Sequence, residues 1–164
     1  MMKCNEVMTT NPVCCLPNDS VAKAAQLMKS ENIGSIPVIE TEQSQKLVGI
    51  VTDRDLALRA VAAGKDVDTR LSELMTPVAM TCGQDDDLRD VEQKMAELQV
   101  RRIPIVDAGG RCLGIISQAD IARAASLDDG VVTGEEVALV VEQISQPTHR
   151  IRNGGAREEP RVSA

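Results

Sequence analysis

No phenylalanine, tyrosine or tryptophan occurs among the 164 residues. A core must therefore be packed from Val, Ile, Leu, Met and Ala, and any bound ring meets aliphatic walls rather than an aromatic face. The stacking platforms of single-strand nucleic-acid binders are missing, and a net charge of −7 argues against a surface for a phosphate backbone. Histidine is nearly absent too. His149 stands alone, and no G-x-S-x-G, P-loop or C-x-x-C pattern accompanies it, so no enzyme is expected. No apolar run reaches the ~18 residues that a membrane span needs, and the opening "MMKCNEVMTTNP" has neither an apolar h-region nor a small-residue cleavage site. The expectation is a soluble, cytoplasmic protein without a nucleic-acid or membrane partner. Five cysteines (Cys4, Cys14, Cys15, Cys82, Cys112) are an odd number and too sparse for a disulfide scaffold.

What the chain does have is itself, twice. "NEVMT" at 5–9 returns as "SELMT" at 72–76, and "IPVI" at 36–39 returns as "IPIV" at 103–106, both offset by 67. At that offset Val21, Ala24 and Met28 fall on Leu88, Val91 and Met95, a spacing of three then four that makes one face of an amphipathic helix. The offset then drops to 65, because the loop "ETEQSQK" is two residues longer than its counterpart "DAGGR". A hairpin loop tolerates such a change. Beyond it "GIVTDRD" at 49–55 matches "GIISQAD" at 114–120, and each opens a second helix, "DLALRAVAAG" or "DIARAASL".

Each repeat reads as short strand (residues 13–16 in the first), helix, two hairpin strands and helix. The fold class is α/β (α+β): two β-α-β-β-α repeats related by a pseudo-twofold. Neither repeat alone buries much surface, so a shared module is expected. The organisation expected is repeat one at 1–63, a linker at 64–70, repeat two at 71–127, a C-terminal helical extension at 128–145 and a flexible tail at 146–164. In the extension Val137, Val140, Val141 and Ile144 share helical spacing behind Glu135 and Glu136.

Thr52-x-x-Asp55 and Ser117-x-x-Asp120 sit at strand-to-helix junctions and satisfy the capping-box pattern. Capping alone would explain them. Gly49 and Gly114 point further, since a glycine inside an apolar strand weakens it unless another backbone or a ligand comes close. Pro37 and Pro104 fall early in strands, where a lost ladder bond suits an edge. The repeats differ in charge: Arg101 and Arg102 precede the second "IP" strand where Gly34 and Ser35 precede the first, and Arg54 in "TDRD" has Ala119 as counterpart.

The run "VMTTNPVCCLPNDSVAKAAQLM…IPVI…LVGIVTDRD", with its echo, resembles a tandem cystathionine-beta-synthase (CBS) domain pair, or Bateman module, over roughly residues 5–125. That resemblance implies an adenine nucleotide or nucleoside, of the AMP, ADP and ATP class, held in clefts between the repeats. By the same resemblance Asp55 and Asp120 would take the ribose, Thr52 and Ser117 the phosphate side, and Ile36, Pro37, Ile103 and Pro104 the base. The chemistry suits these roles, because a carboxylate accepts from ribose hydroxyls and phosphate is favoured at a helix start. Arg101 and Arg102 would hold phosphate in one cleft only. No cofactor is required; the nucleotide would be a regulatory ligand. The expected whole is a stand-alone, homodimeric, energy-sensing module that signals to an unknown protein target by a shift in conformation. Two other readings stay open. One is a ligand-free partner-binding dimer, with Ala57, Ala60, Ala122 and Ala125 letting helices approach closely. The other is a thiol or metal sensor using the repeat-equivalent Cys15 and Cys82.

Overall fold

The computed structural model describes residues 2–78 and 80–127, and residues 135, 138, 141 and 142 beyond them. The chain begins with one helical turn, α1 (Cys4–Val7), and a two-residue strand, β1 (Thr9–Thr10). Next come α2 (Val21–Ser30), the hairpin strands β2 (Ser35–Ile39) and β3 (Leu47–Thr52), and α3 (Asp53–Asp55), which runs on as a π-helix over Leu56–Val61. The second half repeats the series. A 3-10 turn (Leu71–Glu73) leads to β4 (Thr76–Pro77), β5 (Cys82–Gly83), α4 (Leu88–Leu98), β6 (Arg102–Val106), β7 (Cys112–Ser117) and α5 (Gln118–Leu127).

The long helices form where the spacing predicts. α2 starts at Ser20, whose side chain accepts the Lys23 N–H, and α4 at Asp87, which accepts from Arg89. Caps of this kind are worth about 1 kcal/mol each. The buried faces are Val21, Ala24, Met28 and Leu88, Val91, Met95. Equivalent residues past the two helix ends, Asn32 (φ 53°) and Gln99 (φ 52°), turn the chain away in the left-handed region.

β2 pairs antiparallel with β3, and β6 with β7, as the hairpin reading requires. The strand expected over residues 13–16 shrinks to one parallel bridge, Cys15 to Val38. Proline is the reason. The Pro37 carbonyl accepts the Cys15 N–H at 3.0 Å, but Pro37 has no N–H with which to carry the ladder back toward Val13.

The repeats trade their first segments. β1 pairs with β7 of the second repeat, and β4 pairs with β3 of the first, giving sheet orders β1-β7-β6-β5 and β2-β3-β4. The cores follow the trade: Cys4 is buried among Leu88, Val91, Ile103 and Ile116, while Leu71 and Leu74 are buried among Val21, Ala24, Ile36 and Val51. The hairpin loops close the same seam reciprocally, with Leu47 N–H donating to Gly110 O and Cys112 N–H to Gln45 O.

This exchange accounts for the two strand glycines. A Cβ on Gly114 would lie 2.9 Å from the Thr9 carbonyl oxygen and 2.6 Å from Met8 Sδ; one on Gly49 would lie 3.2 Å from the Thr76 oxygen and 2.6 Å from Met75 Sδ. The neighbour each glycine admits is thus the Met-Thr segment of the other repeat. Residues 135, 138, 141 and 142 are helical and exposed. The rest of the 128–145 extension, the 146–164 tail with His149, and the side chain of Ala125 lie outside the described residues.

Candidate functional site

At each strand-to-helix junction the hydroxyl and the carboxylate are bound to one another. The Asp55 N–H donates to Thr52 Oγ1 (3.1 Å), while Thr52 donates both its N–H (2.9 Å) and its hydroxyl (2.8 Å) to Asp55 Oδ2. Ser117 and Asp120 repeat the pattern, with the Ser117 N–H at 2.7 Å from Asp120 Oδ2. The capping box is therefore built twice. It also directs the chemistry. Each hydroxyl's one proton is given to the carboxylate Oδ2, which leaves the aspartate's Oδ1 to meet other donors.

An arginine attends each Oδ1. Arg123 pairs with Asp120 three residues away, and Arg59 Nε lies 3.4 Å from Asp55 Oδ1 four residues away. The different spacings converge because Leu56–Val61 is π-wound, with the Ala62 N–H reaching back to Ala57 O and the Lys65 N–H to Ala60 O. The buried positions follow the same shift: Leu56 and Ala60 in the first repeat, Ile121 and Ala124 in the second. One extra residue in "DLALRA" against "DIARA" is absorbed as a π-bulge, so Arg59 becomes the structural counterpart of Arg123. The sequence reading missed both arginines. The signal was an Asp-x-x-Arg whose twin carries one added residue.

Between the repeats lies a cleft of about 420 Å³. Thr9, Asn11, Pro12 and Val13 form one wall and residues 31–35 a second, while β7 and the start of α5 supply Ile115, Ser117, Ala119, Asp120 and Arg123. Asn11 holds a left-handed turn (φ 48°) while its N–H donates to Leu113 O, which carries the chain from β1 past the cleft mouth. Val13, Ile33 and Ile115 give the cleft its aliphatic surface. Arg102 enters over Gly34, where a Cβ would stand 2.9 Å from its Nη2. The absent side chain at Gly34 makes the room. Arg102 and Arg123 supply the positive charge, and Asp120 and Glu31 the negative.

Of the expected site residues, Ser117, Asp120 and Arg102 meet in this cleft. Thr52 and Asp55 build the matching junction in the first repeat. Arg101 is exposed outside the cleft, its carbonyl accepting the Gln118 N–H. Ile36 and Ile103 are enclosed in the two cores, and Pro37 and Pro104 are buried in mid-strand; none of the four lines the cleft.

The cysteines are dispersed. Cys15 and Cys82 belong to separate cores and do not meet. Burial pushes the Cys4 thiol up to about 12 and that of Cys15 to about 11. Cys14 Sγ donates to the Pro12 carbonyl at 3.2 Å and Cys112 Sγ to that of Gly114; the nearness of the two thiols across the seam pushes Cys14 up, together with burial, and draws Cys112 below its ordinary value. Among the described residues no three His, Cys, Asp or Glu side chains are grouped to hold a metal, and no helix is long and apolar enough to cross a membrane.

Known proteins share this arrangement. The CBS domain family model matches residues 4–61 and again 71–127. The CBS domain-containing protein YhcV of Bacillus subtilis is 40% identical over 122 residues, which span 74% of this chain and 84% of that protein. A crystal structure of Hypoxic Response Protein I with two coordinated zinc ions is 30% identical, covers 74% of this chain and 98% of its own, and superposes with a TM-score of 0.67. A crystal structure of CBSX2 in complex with AMP is 28% identical, covers 77% of this chain and 98% of its own, and has a TM-score of 0.67.

Proposed function

The chain belongs to the CBS domain family, with two copies of the domain in tandem, and from that premise we propose that it is a regulatory module that binds an adenine nucleotide in the cleft of Ser117 and Asp120. The observation that carries this reading is the composition of that cleft. Asp120, at a helix start, lines the same cleft as the aliphatic Val13, Ile33 and Ile115 and two arginines, Arg102 and Arg123. Ribose hydroxyls donate to Asp120 Oδ1, the base lies against Val13, Ile33 and Ile115, and the phosphate lies toward the arginines. CBSX2, similar over most of its length, holds AMP. The reading assigns the chain no catalytic step. Ligand bridging the repeats would favour one of their relative orientations, and so pass a signal to a protein target, with the module acting as a homodimer in the cytoplasm.

Unfolding in the presence of AMP, ADP, ATP and adenosine tests this. A ligand at 100 times its dissociation constant adds about 2.7 kcal/mol, which for a chain of this size raises the midpoint by roughly 5–10 °C. Arg102→Ala should weaken the nucleotides by about tenfold or more and leave adenosine nearly unchanged. No shift with any of the four compounds would refute the reading.

A further inference from the structure

The junction of Thr52 and Asp55 is built from parts equivalent to those of the open cleft, but it holds a contact that the other lacks. Thr9 and Asp120 both line the open cleft. Their repeat counterparts are Thr76, at an offset of 67, and Asp55, at an offset of 65. Between those two stands Arg59. Its Nη1 donates to the Leu74 carbonyl oxygen at 2.8 Å and to Thr76 Oγ1 at 3.2 Å, while its Nε lies 3.4 Å from Asp55 Oδ1. The guanidinium therefore ties the aspartate of this junction to the segment contributed by the other repeat. Arg123 makes no such crossing: among the described residues its hydrogen bond is to Asp120, and its side chain is 69% exposed.

We infer that Arg59 is a latch across the second cleft, so that the chain takes one adenine nucleotide and not two. The inference rests on the proposed function and extends it to stoichiometry. An entering ribose meets an arginine at the aspartate Oδ1 in either repeat, but at Asp55 it must also part the guanidinium from Leu74 and Thr76. Each charge-assisted hydrogen bond lost without replacement lowers affinity about tenfold or more. The five donors of a guanidinium are spread over a rigid planar fork, so it can reach three partners that stand apart from one another. The π-bulge belongs to the device, since the added residue is what brings an arginine four positions after Asp55 onto this face.

Isothermal titration with AMP on the full chain decides the matter. The parent should bind one equivalent, Asp120→Asn none, Arg59→Ala two, and the double variant one. Two equivalents in the parent, or one persisting in Asp120→Asn, would overturn the latch while leaving nucleotide binding intact, and neither result depends on the Arg59 variant folding. A folded Arg59→Ala that still binds one equivalent overturns it as well. A parent that binds nothing beside an Arg59→Ala that binds one supports the latch and refutes the open cleft as the site. No heat from any of the four overturns both.

Discussion

Alanine at Gly114 should unfold this protein more easily than alanine at Gly49, although the two glycines hold the same place in their repeats. Each methyl meets a methionine sulfur at 2.6 Å, Met8 at Gly114 and Met75 at Gly49. A thioether on three rotatable bonds can swing aside at little cost. The rigid neighbour separates the two sites: the Thr9 carbonyl at 2.9 Å from the Gly114 methyl, against the Thr76 carbonyl at 3.2 Å from the Gly49 methyl. Carbon-to-oxygen contacts settle near 3.3–3.6 Å even when weakly attractive. β1, held in register with β7 through Thr9–Ile115 and Thr10–Gly114, must therefore retreat by several tenths of an ångström, whereas β4 need hardly move. Overpacking of this sort costs about 1–3 kcal/mol, against a gain of about 0.5–1 kcal/mol from replacing glycine inside a strand. The expected net loss is about 1–2 kcal/mol for Gly114→Ala and within about 0.5 kcal/mol of zero for Gly49→Ala. With no aromatic residue to report by fluorescence, urea unfolding is followed by far-ultraviolet circular dichroism. Adding Met8→Ala to Gly114→Ala should not restore stability, because the carbonyl remains. A Gly114→Ala protein as stable as the parent, or a Gly49→Ala protein less stable than it by about 1 kcal/mol or more, refutes the reasoning.

Ser117→Ala removes the acceptor of the Asp120 N–H and the donor to its carboxylate, and should cost about 1 kcal/mol in urea unfolding. Thr52→Ala should match it; a loss below about 0.3 kcal/mol in both would mean the boxes do not cap. Cys4 and Cys15 are held above the unfolded thiol value, so their stabilisation is complete below about pH 9 and drains as pH rises toward 11 and 12. Stability should fall by up to about 1.4 kcal/mol per pH unit per thiol in that window, and Cys4→Ala should flatten the slope. Deleting Leu58 should leave a cooperatively folded protein, since the π-bulge reverts to the α-helix of the other repeat. Deleting Ala122 should not, because the cut turns Ala124 out of the core of the second repeat. Equal tolerance of the two deletions, seen by circular dichroism and melting, counts against the register proposed for α3 and its π-turn.

Elements whose signal is periodic were legible in the sequence. Val21, Ala24 and Met28, with Leu88, Val91 and Met95, marked two helices and the faces they bury, and the paired "IPVI" and "LVGIV" runs marked the hairpin. The short strand over residues 13–16 was not, because Pro37 on the neighbouring strand decides its length and no pattern within 13–16 records that. Nor was the exchange of first segments. Gly49 and Gly114 showed that something passes close, but a glycine leaves open whether the visitor is backbone or ligand. Among the residues that line the cleft, Ser117, Asp120 and Arg102 could be named from motif and charge, whereas Arg101 lies one residue before β6, exposed and outside the cleft, and charge alone does not separate the two arginines.

Arg59 and Arg123 stayed hidden for a reason that bears on how the two halves came to differ. Equivalence between the repeats runs at an offset of 67 through "IPVI", 65 through "GIVTDRD", and 64 from Arg59 and Ala60 to Arg123 and Ala124. The first change falls in a hairpin loop, where added residues bulge into solvent and move nothing else. The second falls inside a helix, where an added residue must either rotate everything after it by about 100° or be absorbed as a wider turn. Absorption kept Leu56 and Ala60 in the core and kept an arginine beside the aspartate. It also lengthened the Asp-to-Arg spacing from three to four, and the arginine at the longer spacing is the one that reaches across to Leu74 and Thr76. A single inserted residue is thus enough to make one of two like clefts open and the other barred.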